Sequence, residues 1–95
     1  MILEAEPLTQ VNQPPRYPRK ARRMSWEGRV VLHVKINENG TVDYVFVMES
    51  SGYDILDEAA AQALRRWQFE PAKRFGQPVS SEIEIPVVFR LTDER

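Results

Sequence analysis

The run from Ser50 to Ala72, SSGYDILDEAAAQALRRWQFEPA, restricts the possible folds of this chain more than any other, because it carries the start, body and stop of one helix. Ser50-Ser51-Gly52 are turn residues, and they end whatever strand comes before. Asp54 is placed to cap the free N–H groups, with Asp57 three residues on. Acids at the start and Arg65 and Arg66 at the end complement the helix dipole. Leu56, Ala60, Ala63, Leu64 and Trp67 recur at helical spacing and predict the core face, where alanines permit close approach to a sheet. Phe69 and Pro71 then close the helix, since the residue before a proline disfavours helical geometry.

What that helix would cover is legible upstream. Arg29 to Ile36 alternates, with Val30, Leu32, Val34 and Ile36 on one face and Arg29, Val31, His33 and Lys35 on the other, the pattern of a half-buried strand. Asn37-Glu38-Asn39-Gly40 supplies residues that tolerate positive φ, so the chain is expected to reverse into a second strand, Thr41 to Glu49. There the apolar spacing runs Val42, Val45, Val47 with Tyr44, Phe46 and Met48 opposite. Either both faces are covered or a bulge shifts the register. Downstream of the helix, a loop through Gly76 and Pro78 leads to a last strand, Ser81 to Leu91. Pro86 lacks an N–H and does not fit a ladder paired on both sides, so this strand is expected to keep an open outward edge. Glu84 and Arg90 on it are residues that discourage self-pairing.

These readings give an α+β domain over residues 16–91. It is an antiparallel three-stranded sheet packed by one long helix in the order β-β-α-β, with a short helix at Pro18 to Met24, where proline suits the first turn. Residues 1–15, with Pro7, Pro14 and Pro15 and no sustained period, read as a linker or a loosely docked arm, and residues 92–95 as a tail.

Composition narrows the chemistry. Thirteen basic and fourteen acidic residues leave a net charge of −1, so no global field directs the chain to nucleic acid or an anionic membrane. With no cysteine there is no disulfide, zinc-thiolate site or thiol chemistry. His33 is the only histidine, on the polar face of its strand, which argues against a metal site and deprives Ser50 and Ser51 of a base. The acids are spread over caps and surface strands, and no glycine-rich loop is present to cradle phosphate. Neither an enzyme nor a cofactor is expected. No window approaches the roughly 20 apolar residues of a membrane helix, and Met1 to Gln13 lacks the pattern of a signal peptide. One different class stays open: Arg16 to Arg23 places five cations in eight residues around Tyr17, a basic helix of the kind that contacts phosphates.

Three segments together, QPPRYP at residues 13–18, the Asn39-Gly40 reversal and the RRWQFEPA exit from the helix, closely resemble the C-terminal domain of TonB. The likeness runs from Gln13 to Leu91 in one order without large insertions. It implies a periplasmic adaptor without a catalytic centre, docking on outer-membrane receptors. The fuller family plan has an N-terminal membrane helix and a Pro-rich spacer ahead of this domain, and through that helix an inner-membrane ExbB/ExbD-like complex supplies proton-motive energy. The family's last strand accepts the receptor's TonB box as an added strand, which puts Ile83, Glu84, Ile85, Val87, Val88, Phe89 and Arg90 at the pairing edge. The Gln-Pro segment that meets the box and plug corresponds to Gln13 and Pro14, ahead of Tyr17, although Pro15-Arg16 stands where the best-known members have one residue. The basic residue after the Tyr-Pro pair corresponds to Lys20, with Arg19 as its neighbour. Trp67, Phe69 and Phe89 match aromatic positions near receptors, although core packing is the stronger reading of each. Leu56 replaces a fourth. A related Tol-type envelope adaptor is the nearer alternative to this reading, and an open edge also allows a homodimer through edge-strand pairing.

Overall fold

In the computed structural model, which describes residues 2–91, the chain runs β1 (Ile2–Leu3), β2 (Glu6–Pro7), α1 (Arg19–Arg23), β3 (Gly28–Ile36), β4 (Val42–Glu49), α2 (Asp54–Arg65), β5 (Phe69–Glu70), β6 (Ala72–Arg74), β7 (Gln77–Val79) and β8 (Ser81–Phe89). The tail expected over residues 92–95 lies outside the described residues. The main sheet is antiparallel in the order β4-β3-β8, with β3 in the middle. Among the described residues no helix is long and apolar enough to cross a membrane.

Strand β3 behaves as its alternation requires. Val30, Leu32, Val34 and Ile36 are fully buried, pointing to the face that α2 covers. Val31, His33 and Lys35 point to the other face. The broken pattern of β4 is resolved by register shifts rather than by cover on both faces. Lys35 faces Tyr44 but Ile36 faces Val42, and Val31 faces Glu49 but Leu32 faces Val47, so Asp43 and Met48 are extra residues in the second strand. The shifts keep Val42 and Val45 against the core and leave Tyr44, Phe46 and Met48 exposed on the open face. The reversal between the strands is organised by Asn37, whose Oδ1 accepts the N–H groups of Asn39 (2.9 Å) and Thr41 (3.1 Å). Gly40 closes it at φ +86°. Its carbonyl also accepts the Phe69 N–H at 2.8 Å, and a Cβ here would stand 2.1 Å from the Phe69 carbonyl oxygen.

Helix α2 differs from expectation at both ends. Asp54 does not cap it. The N-cap is Tyr53, which makes no side-chain capping bond. The acid that anchors this end is Asp57, whose carboxylate accepts the Ser50 hydroxyl, the Ser51 N–H (2.9 Å) and the Ser51 hydroxyl (2.8 Å). Asp57 faces the strand end and is buried, whereas Asp54 points to water. Burial alone pushes the Asp57 carboxyl upward, but the three donors outweigh it and hold the group below the ordinary aspartate range. The buried stripe is Leu56, Asp57, Ala60, Ala61 and Leu64. Ala63 and Trp67 are only half-buried, because the sheet lies on the side shared by residues 57, 61 and 64. The helix ends at Arg65 with Arg66 as C-cap, so Trp67 belongs to the closing turn, where its N–H bonds the Leu64 carbonyl at 3.1 Å.

The expected loop through Gly76 and Pro78 is instead a hairpin. β6 and β7 pair across Phe75-Gly76, whose φ values of 52° and 81° make the two-residue turn that suits twisted strands. The stretch before Arg16 is a docked arm over its first half. β1 pairs with β6, β2 pairs with β5, and Ala5 between them is buried in the core. Pro7 tolerates this short pairing because a two-residue edge asks little of the missing N–H.

Two outcomes follow for stability. Gly40→Ala is expected to cost about 2–4 kcal/mol, because left-handed strain adds to the collision with Phe69; the midpoint of urea unfolding would show it. The folded Asp57 carboxyl holds its proton less tightly than the unfolded one. Its contribution is therefore complete above about pH 4 and is lost as pH falls through the lowered folded value. Asp57→Asn is expected to destabilise by about 1–3 kcal/mol at pH 7. That deficit should shrink on acidification toward pH 2, followed by thermal unfolding across the series.

Candidate functional site

Strand β8 lies at one end of the β4-β3-β8 order and, among the described residues, pairs only with β3, in an unbroken register from Gly28↔Phe89 to Ile36↔Ser81. Pro86 stands opposite Val31 inside this ladder. A proline facing β3 would remove a ladder bond, so the continuous register places its nitrogen on the outward side. Alternation then assigns the outward backbone groups to Glu82, Glu84, Pro86 and Val88. The same four side chains lie on the open face, while Ile83, Ile85, Val87 and Phe89 face the core. Val87 and Phe89 are buried, but Ile83 and Ile85 are only half-buried, because α2 packs on β4 and β3. An edge results that offers main-chain donors and acceptors next to a strip of partly uncovered isoleucine.

The open face beside this edge carries a small polar and aromatic cluster. His33 stacks on Phe46, with ring centroids 4.8 Å apart, and its Nε2 meets the Glu82 carboxylate, which also accepts the Tyr44 hydroxyl at 3.3 Å. The bond from His33 holds the Glu82 carboxyl below the usual range. Burial and then Glu82 push the Tyr44 phenol up, so Tyr44 remains a neutral donor. The cluster ties all three strands together across the first half of β8.

A second region is a cleft of about 1170 Å³ between the segment Val11 to Pro18 and the outer side of α2. Gln13 and Pro14 form one wall, with Ala59, Gln62 and Ala63 of the helix opposite and Trp67 at one end. The Trp67 indole N–H donates to the Gln13 carbonyl at 2.8 Å. Asn12 and Gln68 lock the same junction reciprocally. The Asn12 amide donates to the Gln68 carbonyl (2.8 Å), and the Gln68 N–H donates to Asn12 Oδ1 (2.7 Å).

The residues singled out from sequence therefore fall into groups. Ile83, Glu84, Ile85, Val87, Val88 and Phe89 share β8, and Arg90 follows it immediately. Gln13, Pro14 and Trp67 meet at the cleft. Tyr17 packs edge-on against Phe89, centroids 5.3 Å apart, and donates its hydroxyl to the Trp26 carbonyl. Burial, then Glu27, push its phenol up, with Arg22 opposing. Arg19 and Lys20 are exposed on α1. Lys20 stands over the Trp26 ring at 5.8 Å and Arg22 over Tyr17 at 5.4 Å, so two cations of the basic run are engaged with aromatic faces. Phe69 and Phe89 are 2% and 4% exposed, and a partner would find their backbones rather than their rings. Sequence reasoning did not single out Asn12, Gln68 or the arm residues Glu4 and Ala5. Asn12 and Gln68 are 56 positions apart, and nothing in either local pattern signals the other.

Comparison with known proteins agrees with this architecture. Residues 13–91 match the family model described as Gram-negative bacterial TonB protein C-terminal. Protein tonB2 of Pseudomonas aeruginosa is 40% identical over 80 residues, covering 84% of this chain and 30% of its own length. Protein TonB of Vibrio cholerae is 33% identical over 91 residues, 96% of this chain and 37% of the relative. The chain thus spans about a third of the length of these curated relatives. Among solved structures, the solution structure of the Pseudomonas aeruginosa TonB C-terminal domain superposes with a TM-score of 0.78 at 32% identity, covering 97% of this chain and 91% of that one. The Helicobacter pylori domain gives 0.64 at 31% identity, covering 84% and 72%.

Trp67→Phe keeps the ring and removes only the indole donor. It is expected to cost about 1 kcal/mol or less. Hydrogen exchange should accelerate at Asn12 and Gln68 while β3 stays protected.

Proposed function

The chain belongs to the Gram-negative bacterial TonB protein C-terminal family, and on that premise we propose that it is the periplasmic receptor-docking end of an energy transducer for outer-membrane transport. The observation that carries this reading is the outward edge of β8, open beside Pro86 and flanked by half-buried Ile83 and Ile85. A receptor's extended TonB-box segment would add there as a fourth strand. Main-chain hydrogen bonds supply affinity with little sequence demand, and alternate side chains tune it. A row of bonds loaded together also resists pulling, which suits a contact that passes mechanical work to a receptor plug. In this reading Gln13, Pro14 and Tyr17 make a second contact at the plug, and Arg19 and Lys20 complement its acidic groups. An ExbB/ExbD-like complex in the inner membrane, engaged through an N-terminal anchor, supplies the proton-motive energy for import of cargo such as siderophore or haem. The domain itself performs no catalysis.

Calorimetric titration with synthetic box peptides and a scrambled control, with light scattering to follow the oligomer, tests the reading. Saturable binding of the box sequences alone supports it. A folded monomer that binds no box peptide, with β8 variants that leave receptor interaction unchanged, overturns it. One variant isolates the edge. Val88→Pro removes an outward N–H and no inner ladder bond, so peptide affinity is expected to fall about five-fold, the worth of one hydrogen bond, with little change in thermal midpoint. Ile85→Pro, facing β3, is expected to destabilise the domain by about 3 kcal/mol.

A further inference from the structure

The edge of β8 is not electrically uniform. At its Ser81 end a groove of about 440 Å³ lies between the strand and the N-terminal arm, lined by Glu4, Ala5, Ser81, Glu82, Ile83 and Glu84. The arm is a fixed wall rather than a loose tail, because β1 and β2 are both paired and Ala5 is buried. Of the three carboxylates, Glu82 already meets His33 and Tyr44, while Glu4 and Glu84 form no ion pair among the described residues. The Ser81 hydroxyl oxygen is buried without a hydrogen-bond partner among those residues. At the opposite end the charge reverses. Val88 pairs with Arg29, Arg90 follows, and neither arginine is in an ion pair among the described residues. Between the two ends run Ile83 and Ile85 on the core side and Pro86, which offers only its carbonyl outward.

Resting on the strand-addition reading above, we infer that this polarity selects and orients the incoming strand. The preferred occupant is an extended segment with apolar, β-branched side chains at alternate positions covering Ile83 and Ile85. It carries a lysine or arginine at the end seated between Glu4 and Glu84, and an aspartate or glutamate at the end beside Arg29 and Arg90. The span from Ser81 to Arg90 is about 30 Å, so the two charges stand some eight residues apart. Main-chain pairing alone accepts the strand in many registers. Cross-strand charge pairs penalise those that put like charges together. The arm therefore serves as the end wall of the docking edge, and it sets the register by contributing Glu4.

The test uses three nine-residue peptides with blocked termini and the same Thr-Val alternation: one with lysine at its first and aspartate at its last position, one with aspartate at both, and a parent with alanine at both. At low salt the domain is expected to bind the lysine-aspartate peptide about three- to five-fold more tightly than the double-aspartate peptide, with the difference disappearing near 1 M salt. Glu84→Lys should reverse that order, and Glu4→Lys on the arm should reduce or reverse it. Thermal midpoints would verify that both variants are folded. Equal affinity for both charged peptides, or an order unchanged in both folded variants, overturns the inference while binding of the parent leaves strand addition standing. Failure of all three peptides overturns the inference, and the box-peptide titration with the β8 variants then decides strand addition itself.

Discussion

Everything in this domain is arranged around the burial of one strand. Val30, Leu32, Val34 and Ile36 of β3 are removed from water by a single helix on one side, while among the described residues β3 is the only strand of the main sheet paired along both edges. A sheet of three strands has two exposed edges, and one helix of twelve residues is too narrow to cover all three strands. Because α2 sits over β4 and β3, the shortfall falls on β8, whose isoleucines are left half dressed. The open edge is thus a direct consequence of the small size of the domain.

The peripheral contacts hold this arrangement by joining ends rather than by adding core. Asp57 gathers the Ser50 and Ser51 donors and so fixes the angle at which α2 leaves β4. Gly40 accepts the Phe69 N–H and ties the hairpin turn to the chain just past the helix. Tyr17 against Phe89 and Trp26 against Tyr53, the latter pair stacked at 4.7 Å, seat α1 and its flanks beside the sheet. Each contact spans two elements, and none is a bare surface ion pair of the kind that contributes little.

Such a design suits a module that binds through its backbone. Strand addition needs a stiff edge more than a shaped pocket, and β8 is stiffened by its ladder with β3 and by the His33, Glu82 and Tyr44 cluster across the open face. Pro86 keeps the edge from pairing evenly with a second copy, since any strand laid there meets one position without a donor. In the proposed mode, the charged ends of β8 would add discrimination to an interaction that main-chain bonds alone make permissive.

The sequence by itself determined the elements whose signals are local: the alternation of β3, the Asn37 to Gly40 reversal, the body of α2, and the incompatibility of Pro86 with pairing on both sides. It was also enough to point to the family, since the segments around Tyr17 and Trp67 stand in the right order. Only the tertiary structure decided the rest. It chose Asp57 over Asp54 as the anchor, because the strand end lies on one side of the helix alone. Ala61 went into the core and Ala63 into the cleft wall for the same reason, although helical spacing admits both. The residues read as a loop at Gly76 became a hairpin, and the proline-bearing arm became two short strands, since each found unpaired backbone on another part of the chain. Periodicity and turn chemistry act over a few residues and can be read in place. The pairing of Asn12 with Gln68, or the groove that Glu4 and Ala5 share with the start of β8, depends on which segments the core brings side by side.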